Sequence, residues 1–436
     1  MRTFVTLLAA VGLLAAAAGT AVALTPEEKA EGFVPIFDGK TLEGWDGDPR
    51  LWSVQDGVIR GQTTEENKAK GNTFCIWRGG QLKDFILKIQ FRIQNGNSGI
   101  QYRSKEVSKW VISGYQAEVE DTPGKVGFLY HEKGRKYLAR VGDFVVIDGE
   151  GKKAVVSKVA DVEDLKAKTY YKKQDWNEYT IIAQGNYIRH YLNGCPTIAL
   201  IDNDRVVNPD DPKDTNGAAR EGLLALQIHA GPPMTVEFRD IRIKNLAANY
   251  GKAVRLFNGE NLDGWTVPFE KLQEANTFTV KDGVLDDTGK PAGYIRTTDD
   301  FTNYTLHLQM RHLAKGNSGV LVRAVGPDKV WPKSIEAQGM SNNMGDIWNI
   351  DSVKMTADPE RTKGRRTQKM HESNERPIGE WNDYEVTLDG GDLVIKVNNL
   401  VQNKATECEV VAGKICLQAE GSHKQFRNIV LVPIEK

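Results

Sequence analysis

The sequence predicts an all-β protein built as two tandem antiparallel β-sandwiches, and three observations carry that prediction. Short runs of alternating apolar and polar residues fill the chain, as in "FILKIQFRIQNGN", "NEYTIIAQGNYIRHYLNG" and "DYEVTLDGGDLVIKVNN", and a period of two marks a strand with one buried face. D-G, N-G and G-G pairs separate the runs and suit the positive-φ corners of tight hairpins. The same series of segments then occurs twice in one order.

The repeat sets the domain organisation. "IFDGKTLEGW" (36–45) is answered by "LFNGENLDGW" (256–265), and "GNSGIQYR" (96–103) by "GNSGVLVR" (316–323). "WNEYTI" (176–181), "LLALQ" (223–227) and "FRDIRI" (238–243) are answered by "WNDYEV" (381–386), "KICLQ" (414–418) and "FRNIVL" (426–431). The spacing between partners only shrinks along the chain, so the copies are whole domains and the second has lost loop residues. Most of the excess falls in 143–173, expected to form a loop or hairpin at the rim of the first domain's polar sheet face. Each copy is far longer than a solenoid unit. The domains are read as 24–247 and 252–436, joined through "AANYGK". Beyond the short "TPEEKAEG" segment no strong amphipathic helix is expected.

Residues 1–23 have an early Arg2, an apolar run and small residues at Ala21 and Ala23, the pattern of a signal peptide cut before Leu24. The expected location is periplasmic or secreted, and with no further long apolar stretch no membrane insertion is expected after removal. The 57 Lys and Arg against 58 Asp and Glu give no basic surface for nucleic acid. Oligomeric state stays open. The four cysteines have no zinc-type spacing, so no cofactor is expected, with a divalent ion left open. Cys75 and Cys195 are not expected to bridge to the second domain; Cys408 and Cys416 are near enough to pair across a turn.

Parity sorts side chains onto faces. In "SGIQYR" Ile100 and Tyr102 point inward, leaving Gly99, Gln101 and Arg103 on the other face; Gly319 and Arg323 take the same places in the second domain. In "GYQAEVED" Tyr115, Ala117 and Val119 point inward and Gln116, Glu118 and Glu120 outward; "SIEAQG" puts Glu336 and Gln338 outward in swapped order. "LLALQIHAG" puts Gln227 and His229 outward, and "KICLQAEG" gives Gln418 and Glu420. Solvent alone could wet such a face, but this set is rich in groups that bond polyols. Trp45, Trp265, Trp176, Trp381, Phe238 and Phe426 read as core anchors, and Trp110, Trp331, Trp348 and Tyr130 as stacking candidates.

These motifs, with "GFLYHEKGR", "WNEY" and "LALQIHAGPPMTVEFRDIRI", resemble the 3-keto-disaccharide hydrolase family over nearly the whole mature chain, twice. The resemblance implies concanavalin A-like (laminin-G-like) jelly-roll sandwiches, secretion, and a glycoside or oligosaccharide substrate whose sugar carries a ketone at C3. It carries the family's N-S-G-x-x-x-R strand onto Asn97, Ser98, Gly99 and Arg103, and onto Asn317, Ser318, Gly319 and Arg323. Its E-x-Q strand falls on Glu336 and Gln338, where the first domain has Gln116 and Glu118. Its Q-x-H-G pattern falls on Gln227 and His229 with an extra Ala before Gly231, and "GDIW" ends on Trp348. The implied chemistry is removal of the proton on C2, elimination at C1 and addition of water. Glu118 and His229 are then general base and acid in an order left open, and Arg103 holds or polarises oxygens. Asn97, Gln116, Tyr130 and Gln227 position substrate; Asn317, Arg323, Glu336, Gln338, Trp348 and Glu420 bind it in the second domain. The competing reading is a non-catalytic tandem carbohydrate-binding protein of the lectin type.

Overall fold

The computed structural model describes residues 24–122 and 124–436; the expected signal peptide lies outside them. Among these residues the first domain packs a ten-stranded sheet on a seven-stranded one, and the second a ten-stranded sheet on an eight-stranded one. The layers form sandwiches whose strand pairs are antiparallel except for Asp143–Ile147 with Cys195–Asp202. Helices are confined to the short segments Pro26–Glu31, Val162–Ala167 and Glu270–Glu274.

Each sandwich has its own core. Trp45, Phe91, Tyr102, Tyr115, Tyr179, Leu226 and Phe238 meet in the first; Trp265, Met310, Tyr384, Leu417 and Phe426 meet in the second. The repeated segments 36–45 and 256–265 close alike: the Trp45 indole N–H donates to the Ile36 carbonyl at 3.0 Å, and that of Trp265 to Leu256 at 2.5 Å. A buried indole thereby keeps its donor paired.

Trp176 and Trp381 are not core anchors. Each lies half-buried on the outer face of a ten-stranded sheet between two guanidinium groups. Arg92 and Arg239 flank Trp176, at 4.9 and 3.9 Å from the ring centre. Arg311 and Arg427 flank Trp381, at 4.5 and 4.1 Å. Cation–π stacking lets a large ring rest on a polar surface.

The excess in the first domain is a hairpin, Asp143–Ile147 with Lys153–Lys158, followed by the helix Val162–Ala167. It does not stand at the rim of the polar face. Asp143–Ile147 instead pairs in parallel with Cys195–Asp202 at the edge of the opposite, ten-stranded sheet. "DFVVI" is apolar on both parities, as a strand buried on both sides must be. Val145 and Ile147 enter the first core, while Phe144, with Val159 beyond the hairpin, packs against Tyr187, Ile201, Val430 and Val432 between the domains.

Polar groups extend that junction. The Tyr187 hydroxyl meets His307 Nδ1 at 3.0 Å, and His307 Nε2 meets Asp383 Oδ1 at 3.1 Å. Arg189 donates to Glu385 at 2.6 Å. Burial opposes the Glu385 charge, but Arg189 and Lys396 outweigh it and hold the carboxyl down to about 2. All four cysteines are free. Cys408 packs in the second core and Cys416 with Tyr294 and Leu321 on the other side of the sheet, so the two do not pair.

Glu385→Ala would leave the Arg189 charge buried without its carboxylate partner. Denaturant unfolding should show a loss of about 3–5 kcal/mol, and the double variant with Arg189→Leu should recover part of it.

Candidate active site

The polar face of the seven-stranded sheet is ordered by strand register. Asn97–Ser108 runs between Val111–Glu120 and Gly222–Ile228. Gly99 pairs with Glu118, Gln101 with Gln116 and Asn97 with Glu120, while Gln101 also pairs with Ala225 on the third strand. Glu118 and Gln227 therefore flank Gly99 from either side. Ser98, on the opposite parity, ties the strands together by donating to the Gln227 carbonyl at 2.6 Å. From the core, the Tyr179 hydroxyl of "WNEY" donates to the Glu118 carbonyl at 2.6 Å. The second domain repeats both, with Ser318 on Gln418 at 3.1 Å and Tyr384 on Gln338 at 2.7 Å.

Gly99 is needed for space. A Cβ there would fall inside the Gln116 carboxamide, which leans across the strand. That lean starts a relay of side-chain hydrogen bonds along the face. Gln116 Nε2 donates to Glu118 Oε2 at 2.8 Å. Its Oε1 must then face Gln101 Nε2, and Gln101 Oε1 accepts from the Ser104 hydroxyl at 3.2 Å. Asn97 donates to the other Glu118 oxygen. Burial nonetheless dominates: it pushes the Glu118 carboxyl up to about 8, against the two amide donors and helped by the nearby charges of Glu120 and Glu132.

His229 stands just past its strand, exposed at the end of this face. Its Nδ1 lies 2.7 Å from the Ala230 carbonyl, and a carbonyl only accepts. Nδ1 therefore carries a hydrogen, and Nε2 is the ring nitrogen free of that bond. Gln227 is fully buried, and neither atom of its carboxamide has a protein partner, a costly arrangement unless another molecule bonds it. Tyr130, opposite Gln116 on the next strand, supplies an aromatic wall.

The second domain places the same groups with one exchange. Gly319 pairs with Gln338, and Leu321 with Glu336, so Glu336 occupies the place of Gln116 and Gln338 that of Glu118. A Cβ on Gly319 would lie 2.5 Å from Glu336 Oε1. The carboxyl has moved along its strand and now overhangs the glycine, where the first domain has the Gln116 amide. Burial pushes Glu336 up to about 8, with Glu420 adding to the rise and Arg365 opposing it. Asn317 donates to Glu420 at 2.7 Å. Gln418 repeats the unpartnered carboxamide of Gln227. Trp348 pairs opposite Glu336, where the first domain has Tyr130.

Arg103 and Arg323 are not on the polar face. Each has positive φ, 44° and 48°, at a bulge that breaks the alternation. Arg103 turns inward, its side chain wholly buried, and bonds the Lys83 carbonyl at 2.7 Å, the Gly185 carbonyl at 2.8 Å and Asp84 at 3.1 Å. Arg323 bonds the carbonyls of Thr302, Glu409 and Gly390. Both clamp backbone carbonyls instead of standing on the polar face where the parity reading expected them. Trp110 donates to Asp46 at 2.7 Å at the far end of the hairpin, and Trp331 stays on an exposed connection.

Three groups escaped the sequence reading. Glu132 shares the carboxylate cluster and accepts from Asn72 at 3.2 Å, and Asn72 also accepts from the Ala230 N–H at 3.1 Å beside His229. The alternation of "FLYHE" placed Glu132 on the same parity as Tyr130, which was the available signal. Arg365 comes from a hairpin with no counterpart motif. Among the described residues no group of three or more His, Cys, Asp or Glu is placed to hold a metal ion.

A family model described as a 3-keto-alpha-glucoside-1,2-lyase-like domain matches residues 32–244 and again 252–432. A 3-keto-disaccharide hydrolase of Bacteroides thetaiotaomicron is 34% identical over 86 residues, 18% of this chain and 30% of that protein. The chain thus spans less than a third of that relative's length. A solved structure of a proposed glycosyl hydrolase from Parabacteroides distasonis is 22% identical, covering 51% of this chain and 98% of that one, with a TM-score of 0.34. The carbohydrate-binding module CBM66 of Bacillus subtilis is 15% identical over 46% and 96%, with a TM-score of 0.30.

Arg103→Ala would leave Asp84 without its charged partner and deprive the Lys83 and Gly185 carbonyls of the guanidinium donor. Chemical denaturation should report a loss of about 3–5 kcal/mol, and Arg103→Lys should fail to restore it because one ammonium cannot span three separated acceptors.

Proposed function

The chain belongs to the 3-keto-alpha-glucoside-1,2-lyase-like domain family, and from that premise we propose that it is an exported, periplasmic or secreted enzyme cleaving glycosides whose sugar carries a ketone at C3. The observation that carries the proposal is the buried Glu118 carboxyl, held by two amides and facing the unpartnered Gln227 carboxamide across Gly99. Export rests on the pattern of residues 1–23.

A C3 ketone acidifies the hydrogen on C2. A base that takes it generates an enolate, whose electrons expel the group at C1 as the C1–O bond breaks, and the leaving oxygen takes up a proton. Water adding across the resulting double bond returns a 3-keto sugar, so the sum is hydrolysis. The first domain offers groups matched to both proton transfers. Glu118, pushed up to about 8, is mainly protonated at neutral pH and suits the general acid. His229, with Nδ1 held by the Ala230 carbonyl, presents Nε2 as the base. Gln227 can donate and accept at the sugar hydroxyls, and Asn97 and Gln116 keep the carboxyl aimed.

His229→Ala should lower turnover of a 3-keto-glycoside by about a hundredfold or more, while Glu420→Gln should change it far less. Full activity in His229→Ala would move the chemistry to another residue. The unoxidised parent glycoside should not be cleaved.

An acid is active in its protonated form, so kcat/KM should fall as pH rises through about 8, where Glu118 loses its proton. Glu118→Gln should be slow and should lack that alkaline limb; a limb surviving in Glu118→Gln would assign it to another group.

A further inference from the structure

The two polar faces differ most at the strand beyond the carboxyl. In the first domain Tyr130 stands opposite Gln116, with Tyr137 edge-on at 5.2 Å and Glu120 and Glu132 near Glu118. In the second domain Trp348 takes that place and pairs onward with Arg366. Arg366 is committed to Asp346 at 2.6 Å. Its neighbour Arg365 stacks 5.1 Å from the Trp348 ring centre, and its guanidinium makes no hydrogen bond or ion pair with the described residues. Arg365 is also close enough for its charge to act on both Glu336 and Glu420.

Beside this free cation lie polar atoms with no protein partner. They are both ends of the Gln418 carboxamide, Glu336 Oε1, Asn317 Oδ1 and Trp348 Nε1. Each is buried, and a buried polar atom left unpaired is expensive. An aromatic ring, several hydroxyl-binding atoms and one spare guanidinium form a set. The ring and amides suit a pyranose, and the guanidinium suits a carboxylate through paired N–H donors.

We propose that the polar face of the second domain is a separate carbohydrate site selective for acidic sugars, with Trp348 under the ring, Gln418 and Asn317 on its hydroxyls and Arg365 on the carboxylate of a hexuronate. This goes beyond cleavage in the first domain. Binding needs neither a ketone nor turnover, so it stands or falls apart from that reaction.

Isothermal titration of the full chain with sodium glucuronate and with glucose tests the proposal. Glucuronate should bind about tenfold or more tightly, the scale of one charge-assisted contact, and added salt should erode the difference. Arg365→Gln, at an exposed position, should reduce glucuronate to the level of glucose while leaving glucose unchanged. Gln418→Leu should abolish binding and Gln227→Leu should preserve it. Equal affinity for the two sugars, an equal loss of both in Arg365→Gln, or glucuronate binding lost in Gln227→Leu but kept in Gln418→Leu would each overturn it.

Discussion

The inward turn of Arg103 and Arg323 fixes where everything else on the polar face can sit. One residue of positive φ ends the regular alternation of the central strand and sends a guanidinium among backbone carbonyls of neighbouring loops. A bulge secured this way leaves little freedom to slip by one residue, and a slip of one residue would turn every polar group of the strand into the core. Asn97 and Gly99, and their counterparts Asn317 and Gly319, hold their places because the arginine a few residues on is clamped. The arginine acts on the site entirely through the backbone.

Much of this was legible in the sequence. The inward set Ile100, Tyr102, Tyr115, Ala117, Leu224 and Leu226 is buried in the first core, and the outward set Gln116, Glu118 and Gln227 shares one face because alternation is a property of the backbone. The reading failed where the backbone left that rule. Arg103 follows a bulge that no composition signal announces. Trp176 and Trp381 looked like core anchors because bulk favours burial, but their arginine neighbours come from strands distant in sequence. The hairpin 143–158 was placed at the wrong sheet although "DFVVI" already carried the mark of a strand covered on both sides.

The exchange of carboxyl and amide between the domains shows what the glycine protects. In the first domain the amide leans over Gly99 and serves the carboxyl beside it; in the second the carboxyl itself overhangs Gly319. Both solutions keep a desolvated carboxyl near an unpartnered glutamine, and both carboxyls rise to about 8 because burial outweighs their partners. The acid thus stands one cross-strand pair further along in the second domain, and the surrounding rim differs as well, with tyrosine and carboxylates on the first and tryptophan and arginine on the second.

The junction has a further meaning for assembly. The outer sheet that the first domain covers on the second, around His307, has its equivalent on the first domain around Lys88. There the helix Pro26–Glu31 already sits, with Glu28 bonding Lys88 at 3.0 Å and Arg242 at 2.8 Å. Two repeated units joined head to tail expose, in principle, one unused face that can recruit the next unit without end, as open heterologous contacts do. The helix covers that face, occupying on the first unit the surface that the first unit occupies on the second.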